Sequence, residues 1–254
     1  MKRAISSRSK GAGFRLATVM VLLASAACSA PDQQSEPRVA DESAWITTPL
    51  ILGAERVPAG LVLNGIAAPS GRVVVRCSAG VAYATCADDQ GRFSLRIGPP
   101  AVDTLFVVET QNGQEAAPAP DRLLVTRDAD GPIALLTPGG PSRRLDPVAG
   151  LDVMDGDGTA LLASGRAVPG TVVPLTIGGG ISAQVQARAN GRWIVPLKGP
   201  EVAVGGRRYV RPAPAEITNA DSVPLTVLAS GGGRTVVWAT PGGAVQHSWF
   251  PDRK

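Results

Sequence analysis

The sequence predicts an all-β chain built as two tandem β-sandwiches, and three observations carry that expectation. Residues 62–100 recur one hundred positions later without a gap, with identities at Gly65/Gly165, Ala67/Ala167, Pro69/Pro169, Val73/Val173, Gly80/Gly180, Ala87/Ala187, Gly91/Gly191, Arg92/Arg192 and Pro100/Pro200. Composition alone gives about three such matches over a stretch of this length, so the repeat is real and sets the domain period. Short β-branched runs lie between glycine, proline and aspartate breakers at a spacing of about ten residues, the pattern of small antiparallel sheets. Outside the first thirty residues no helical 3.6 period is sustained.

The chain opens on five cations, Lys2, Arg3, Arg8, Lys10 and Arg15, followed by the apolar run Leu16–Ala27 and then Cys28. A basic start and about a dozen apolar residues form a secretory signal segment, too short to be a comfortable membrane span. With those cations set aside, the formal charge of +4 falls to about −1 for the remaining chain. A nucleic-acid partner therefore lacks its electrostatic footing.

The tetrad Ser25-Ala26-Ala27-Cys28 resembles the bacterial lipobox, with Ser25 where that motif usually carries Leu. The resemblance implies lipidation of Cys28 and a membrane partner reached through the lipid anchor. Ser29 after Cys28 is similar to the outer-membrane-sorted type, facing the periplasm. The alternative is a signal cleaved at a small triplet near Ala24-Ser25-Ala26, giving a periplasmic or secreted protein. Residues 1–27 are thus read as a signal peptide and 28–44 as a flexible tether, because 29–43 is too polar to offset its ordering entropy.

The first repeat is expected over 45–146, with strands at 45–52, 60–66, 72–77, 81–87, 92–97, 104–110, 122–126 and 132–137. Turn chemistry separates them at Pro69-Ser70-Gly71, Ser78-Ala79-Gly80, Asp88-Asp89-Gln90-Gly91 and Asp128-Ala129-Asp130-Gly131. The pattern Gly-x-Ala-x-Pro-Gly-x-x-Val, followed by Gly-Arg-aromatic, spans 65–97 and 165–197 and resembles bacterial Ig-like and carboxypeptidase regulatory-like domains. It implies an Ig-like sandwich used as a spacer, binding module or assembly part. Ser70 stands where the pattern prefers the glycine seen at Gly170. Cys77 and Cys86 occur only in this copy, and two readings stand. They form a disulfide if 78–85 opens into a wide loop, or they are two buried thiols if a tight turn keeps them apart.

The second repeat is expected over 147–254, with strands at 159–166, 171–177, 181–187, 192–197, 207–210, 223–229, 235–240 and 244–250. Pro174 and Pro196 place their strands at sheet edges or bulges. The junction at 143–150 is short, which limits swing. Asp155-Gly156-Asp157-Gly158 reads as a turn before a strand, with Asp155 and Asp157 as weak candidates for a calcium site, since the remaining ligands of a calcium loop are missing. No metal and no cofactor are expected.

The single histidine, His247, has no nucleophile motif to serve, and the triplets Gly178-Gly179-Gly180 and Gly231-Gly232-Gly233 lack the Lys-Ser/Thr of a phosphate loop. Trp249 and Phe250 are the candidate contact for a partner or a sugar ring. The expected function is therefore that of a non-catalytic envelope lipoprotein, a binding or assembly module for an envelope protein. A carbohydrate- or peptidoglycan-binding accessory role is the alternative. A hydrolase with converging carboxylates stands third.

Overall fold

In the computed structural model, which describes residues 47–146, 150–178, 180–213 and 225–253, the apolar runs fold as strands, and no helix forms among the described residues. The signal segment 1–27, Cys28 and the tether 28–44 lie outside the described residues. The first half contributes β1 (Leu50–Val57), β2 (Gly60–Ile66), β3 (Arg72–Cys77), β4 (Ala82–Cys86), β5 (Arg92–Ile97), β6 (Thr104–Asn112), β7 (Glu115–Val125), β8 (Ile133–Leu136) and β9 (Arg143–Arg144). The second half contributes β10 (Gly150–Gly156), β11 (Leu161–Arg166), β12 (Val172–Ile177), β13 (Ile181–Gln186), β14 (Arg192–Pro196), β15 (Glu201–Val204), β16 (Arg207–Val210), β17 (Leu225–Ala229), β18 (Gly233–Ala239) and β19 (Val245–Pro251). All pairings are antiparallel, in sheets ordered β1-β2-β5, β4-β3-β6-β7-β8-β9, β13-β12-β15-β16 and β14-β11-β10-β19-β18-β17.

The sequence repeat is a repeat of register. Ile51 lies opposite Gly65 with Leu52 bulged out, and Leu151 lies opposite Gly165 with Asp152 bulged out. A Cβ on Gly65 would meet the Leu50 carbonyl and the Phe93 ring, and one on Gly165 would meet the Gly150 carbonyl and the Trp193 ring. Each aromatic occupies the space a Cβ would need on the glycine opposite it, which is why position 65/165 admits no side chain. Ser70 adopts a left-handed backbone with φ 58°, as Gly170 does with φ 78°.

The halves then diverge. β7 runs unbroken and carries β8 and β9 into the sheet of β3 and β6. In the second half the chain leaves β16 through Arg211-Pro212, and Pro212 cannot continue a ladder. β17, β18 and β19 join the opposite sheet instead, with β19 beside β10 and Met154 opposite Trp249.

Several strand expectations are corrected by the structure. Of the strand expected over 45–52, residues 45 and 46 lie outside the described residues, 47–49 are not strand, and β1 begins at Leu50 and continues to Val57 before a Pro58-Ala59 turn. β10 and β15 fall outside every expected strand. Strand 159–166 begins only at Leu161. Pro196 does close an edge strand, β14. Pro174 lies on the inner strand β12, just before the point where pairing with β15 starts at Leu175.

Two apolar cores fill the sandwiches. Ile51, Leu63, Val73, Phe93, Phe106 and Leu123 belong to the first, and Leu151, Met154, Leu175, Trp193, Val202 and Trp249 to the second. A third cluster joins Leu124, Ala134 and Leu136 of the first half to Val153, Val236, Trp238 and Phe250 of the second. Burying such a face ties the halves into one body.

Candidate functional site: an arginine-lined pocket at the seam

Polar groups that neither half could satisfy alone border this shared core. Asp155, on β10, is buried and accepts from the Ser142 amide at 2.7 Å, the Ser248 hydroxyl at 2.5 Å and Gln246 Nε2 at 3.3 Å. Gln246 in turn accepts from the Gly139 amide at 2.9 Å. Burial still pushes the Asp155 carboxyl above its ordinary pKa, against the pull of these donors. Asp146 is the second anchor, gripped by Arg144 at 2.7 Å and Arg253 at 2.8 Å, while Arg144 also reaches the Pro251 carbonyl at 2.6 Å. A buried pair of this kind is worth little over an apolar replacement but fixes geometry, because removing one partner strands the other.

A pocket of about 560 Å³ opens on this seam, walled by β1, β7, β9, β10, β11 and β14 and including Arg143, Arg166, Arg192, Asp121 and Asp152. Arg166 and Arg192 sit directly opposite each other across β11 and β14. Like charges in that position destabilise a sheet. Arg166 is partly compensated by the buried carboxylate of Asp152, whose Oδ1 accepts from its Nε at 2.9 Å. Arg192 has only the Ser142 carbonyl, at 3.1 Å from Nη2, and its Nε is buried without a partner among the described residues. Arg143 donates to the Ile51 carbonyl on the outer edge of β1. Burial, reinforced by the Arg192 charge, lowers the pKa of Arg143. Burial also lowers that of Arg192, with Arg166 adding to it and Asp152 opposing. Leu50 and Leu52, each more than half exposed, form an apolar rim.

The first half has nothing equivalent. Leu52 and Ile66, both exposed, stand where the second half has Asp152 and Arg166. Arg92, the counterpart of Arg192, is held by its own turn through Asp88 at 3.2 Å, and the second half has Arg188 at that place. The substitution releases Arg192 from its turn and leaves it for the pocket.

The residues singled out from the sequence fare differently. Cys77 and Cys86 are free, half-buried and exposed respectively. The tight turn forms, with the Cys77 amide donating to the Val81 carbonyl, and Cys86 lies opposite Arg72 at the far end of the hairpin. Five residues of strand hold them about 16 Å apart, so the expected disulfide is not available to this fold. Trp249 and Phe250 are each 1% exposed, one in the second core and one in the shared cluster, so the expected surface contact is corrected: they are packing residues. Trp249 also donates its indole N–H to the Ser230 carbonyl at 3.0 Å.

Asp155 and Asp157 do not converge on a common ligand. Asp155 lies next to the end of β10 inside the seam, whereas Asp157 is exposed and accepts from the Thr159 and Ala160 amides, both at 2.9 Å. Those amides hold the Asp157 carboxyl down at about 2. His247 lines a second hollow of about 530 Å³ with Lys198 and Arg211. Burial and the Arg211 charge lower its pKa, and among the described residues its Nδ1 has no partner, a carboxylate that would orient it as a base included.

The pocket has a sequence signal that neither composition nor strand periodicity displays. It is the exchange of Leu52, Ile66 and Asp88 for Asp152, Arg166 and Arg188 between positions one hundred apart. No protein-family model matches the chain, and no curated protein matches it. Among solved structures, a Ca²⁺-stabilized adhesin that helps an Antarctic bacterium reach out and bind ice is similar at 15% identity over 82% of this chain and 50% of that one, with a TM-score of 0.22.

Proposed function

We propose that this chain is an exported envelope lipoprotein, anchored through Cys28, whose β-sandwich body serves as a non-catalytic binding or assembly module. The observation that carries the reading is the seam pocket, where half-buried guanidiniums face each other without carboxylates enough to neutralise them. A fold held only for its own stability gains nothing from opposing Arg166 with Arg192. A binding surface does gain, since half-buried cations meet an acidic partner at reduced dielectric. The signal segment 1–27 and the tether 28–44 place such a body a short distance from a membrane. Peptidoglycan stacking on Trp249 and Phe250 loses its support from their burial.

The test has two arms. Palmitate labelling in a bacterial host is expected to disappear in Cys28→Ala, and persistent labelling refutes the anchor. Affinity capture from solubilised envelopes is expected to recover a stoichiometric protein partner with the wild type and to lose it with Arg143→Ala/Arg192→Ala. A partner retained equally by both refutes the pocket as the binding surface.

A further inference from the structure

The geometry points to an oxyanion ligand, a phosphate or carboxylate group, bound between Arg143 and Arg192 in the seam pocket. This inference rests on the reading of the chain as a binding module and names the chemistry of what the module holds.

Three features converge. The first is the supply of donors. A guanidinium carries five N–H groups. Among the described residues Arg192 makes one side-chain hydrogen bond, to the Ser142 carbonyl, and Arg143 makes one, to the Ile51 carbonyl. Both acceptors are neutral; Asp121 and Asp152 act on the two cations through space without a direct ion pair to either among the described residues, and the planar fork of arginine fits two oxygens of a phosphate or carboxylate at once.

The second is the charge of the lining. Arg143, Arg144, Arg166 and Arg192 stand against Asp121 and Asp152. Arg144 is committed to Asp146 and Arg166 to Asp152, which leaves Arg143 and Arg192 as the cations available to a ligand. Desolvation in a pocket of about 560 Å³ strengthens each such contact relative to the open surface.

The third is the comparison within the chain. The same strand position in the first half, Arg92, is exposed and neutralised by Asp88. The second half exchanges that aspartate for Arg188 and exchanges Leu52 and Ile66 for the ion pair Asp152–Arg166, so Arg192 keeps its charge, faces Arg166 and loses the carboxylate that its counterpart has. Packing does not explain that direction of change. A bound anion between the cations does. The rim of Leu50 and Leu52 adds room for a short apolar group on the ligand.

The experiment is titration calorimetry on the full chain purified from envelopes in detergent, with butyl phosphate as probe and butanol and butylammonium as same-tail controls. Butyl phosphate is expected to bind at one site per chain, more weakly as salt is raised, and the controls are expected not to bind. Arg192→Ala and Arg143→Ala are each expected to weaken binding by about tenfold or more, the loss of one charge-assisted contact. Arg192→Lys is expected to recover part of the affinity, and Arg92→Ala to leave it unchanged.

Equal binding of butanol, or undiminished binding to Arg192→Lys, Arg192→Ala and Arg143→Ala alike, overturns the proposal. Inorganic phosphate and phosphatidylglycerol vesicles separate the sources. Saturable binding of phosphate alone identifies a free anion as sufficient, and arginine-dependent capture on vesicles without phosphate binding identifies a lipid headgroup. If neither butyl phosphate nor pentanoate, its carboxylate counterpart, binds while envelope capture still depends on Arg143 and Arg192, the oxyanion is refuted and the binding module stands.

Discussion

Replacing Asp155 by alanine tests whether the halves are fastened at the seam. The carboxylate accepts three hydrogen bonds from groups in the interior: the Ser142 amide, the Ser248 hydroxyl and the Gln246 amide. Ser142, Ser248 and Gln246 are all buried, so water does not replace the lost acceptor. Each stranded donor costs about 1–3 kcal/mol, partly offset because the Ser248 hydroxyl can rotate and because a disfavoured buried charge disappears. The net loss is about 3 kcal/mol, or about 6–12 °C in Tm for a body of this size. Asp157, two residues away, serves only its own exposed turn, and Asp157→Ala is expected to shift Tm far less. Asp155→Asn should fall between, since its amide nitrogen or the Ser142 N–H must give way. Thermal unfolding followed by circular dichroism reads all three variants. If Asp157→Ala lowers Tm as much as Asp155→Ala does, the seam reasoning is wrong.

Four further outcomes are expected. Trp249→Ala and Phe250→Ala should each destabilise by about 3–5 kcal/mol in urea titrations, as buried aromatics do; unchanged stability would mean the rings are on the surface. Native protein should show Cys86 alkylated before Cys77 and an intact mass with both thiols reduced, whereas a mass lower by two hydrogens would contradict the hairpin register. The Asp157 carboxyl, held at about 2 against an ordinary value of about 3.9, contributes stability that is complete above about pH 4 and lost as pH falls toward 2. The stability gap between wild type and Asp157→Ala should therefore close over that window, and a gap that widens on acidification has the wrong sign. Ser70→Gly should stabilise and Gly170→Ser destabilise, each by about 0.5–1 kcal/mol, because only glycine is unstrained at φ 58° or 78°. Opposite signs at the two positions are required.

Much of the fold was legible because it rests on short-range chemistry. Turn glycines, alternating apolar residues and the Gly65/Gly165 against Phe93/Trp193 contacts repeat locally and in register. β10 was hidden because Asp152 and Asp155 are residues that usually mark turns. Their burial is made possible by partners 13 to 93 positions away, such as Ser142 and Ser248, which no local pattern displays. The final aromatic pair misled for a related reason. A polar-flanked Trp249-Phe250 near the chain end has the look of an exposed anchor until β19 is placed between β10 and β18.

By itself, then, the sequence determined an all-β body, the repeat of register and the positions of its tight turns, since these depend on steric rules acting over a few residues. The tertiary structure decided which sheet the last three strands join, which charged residues are buried and which guanidiniums face each other. Those outcomes follow from the competition between ladder hydrogen bonds, apolar burial and desolvation across the seam, and that competition is settled only when the two halves meet.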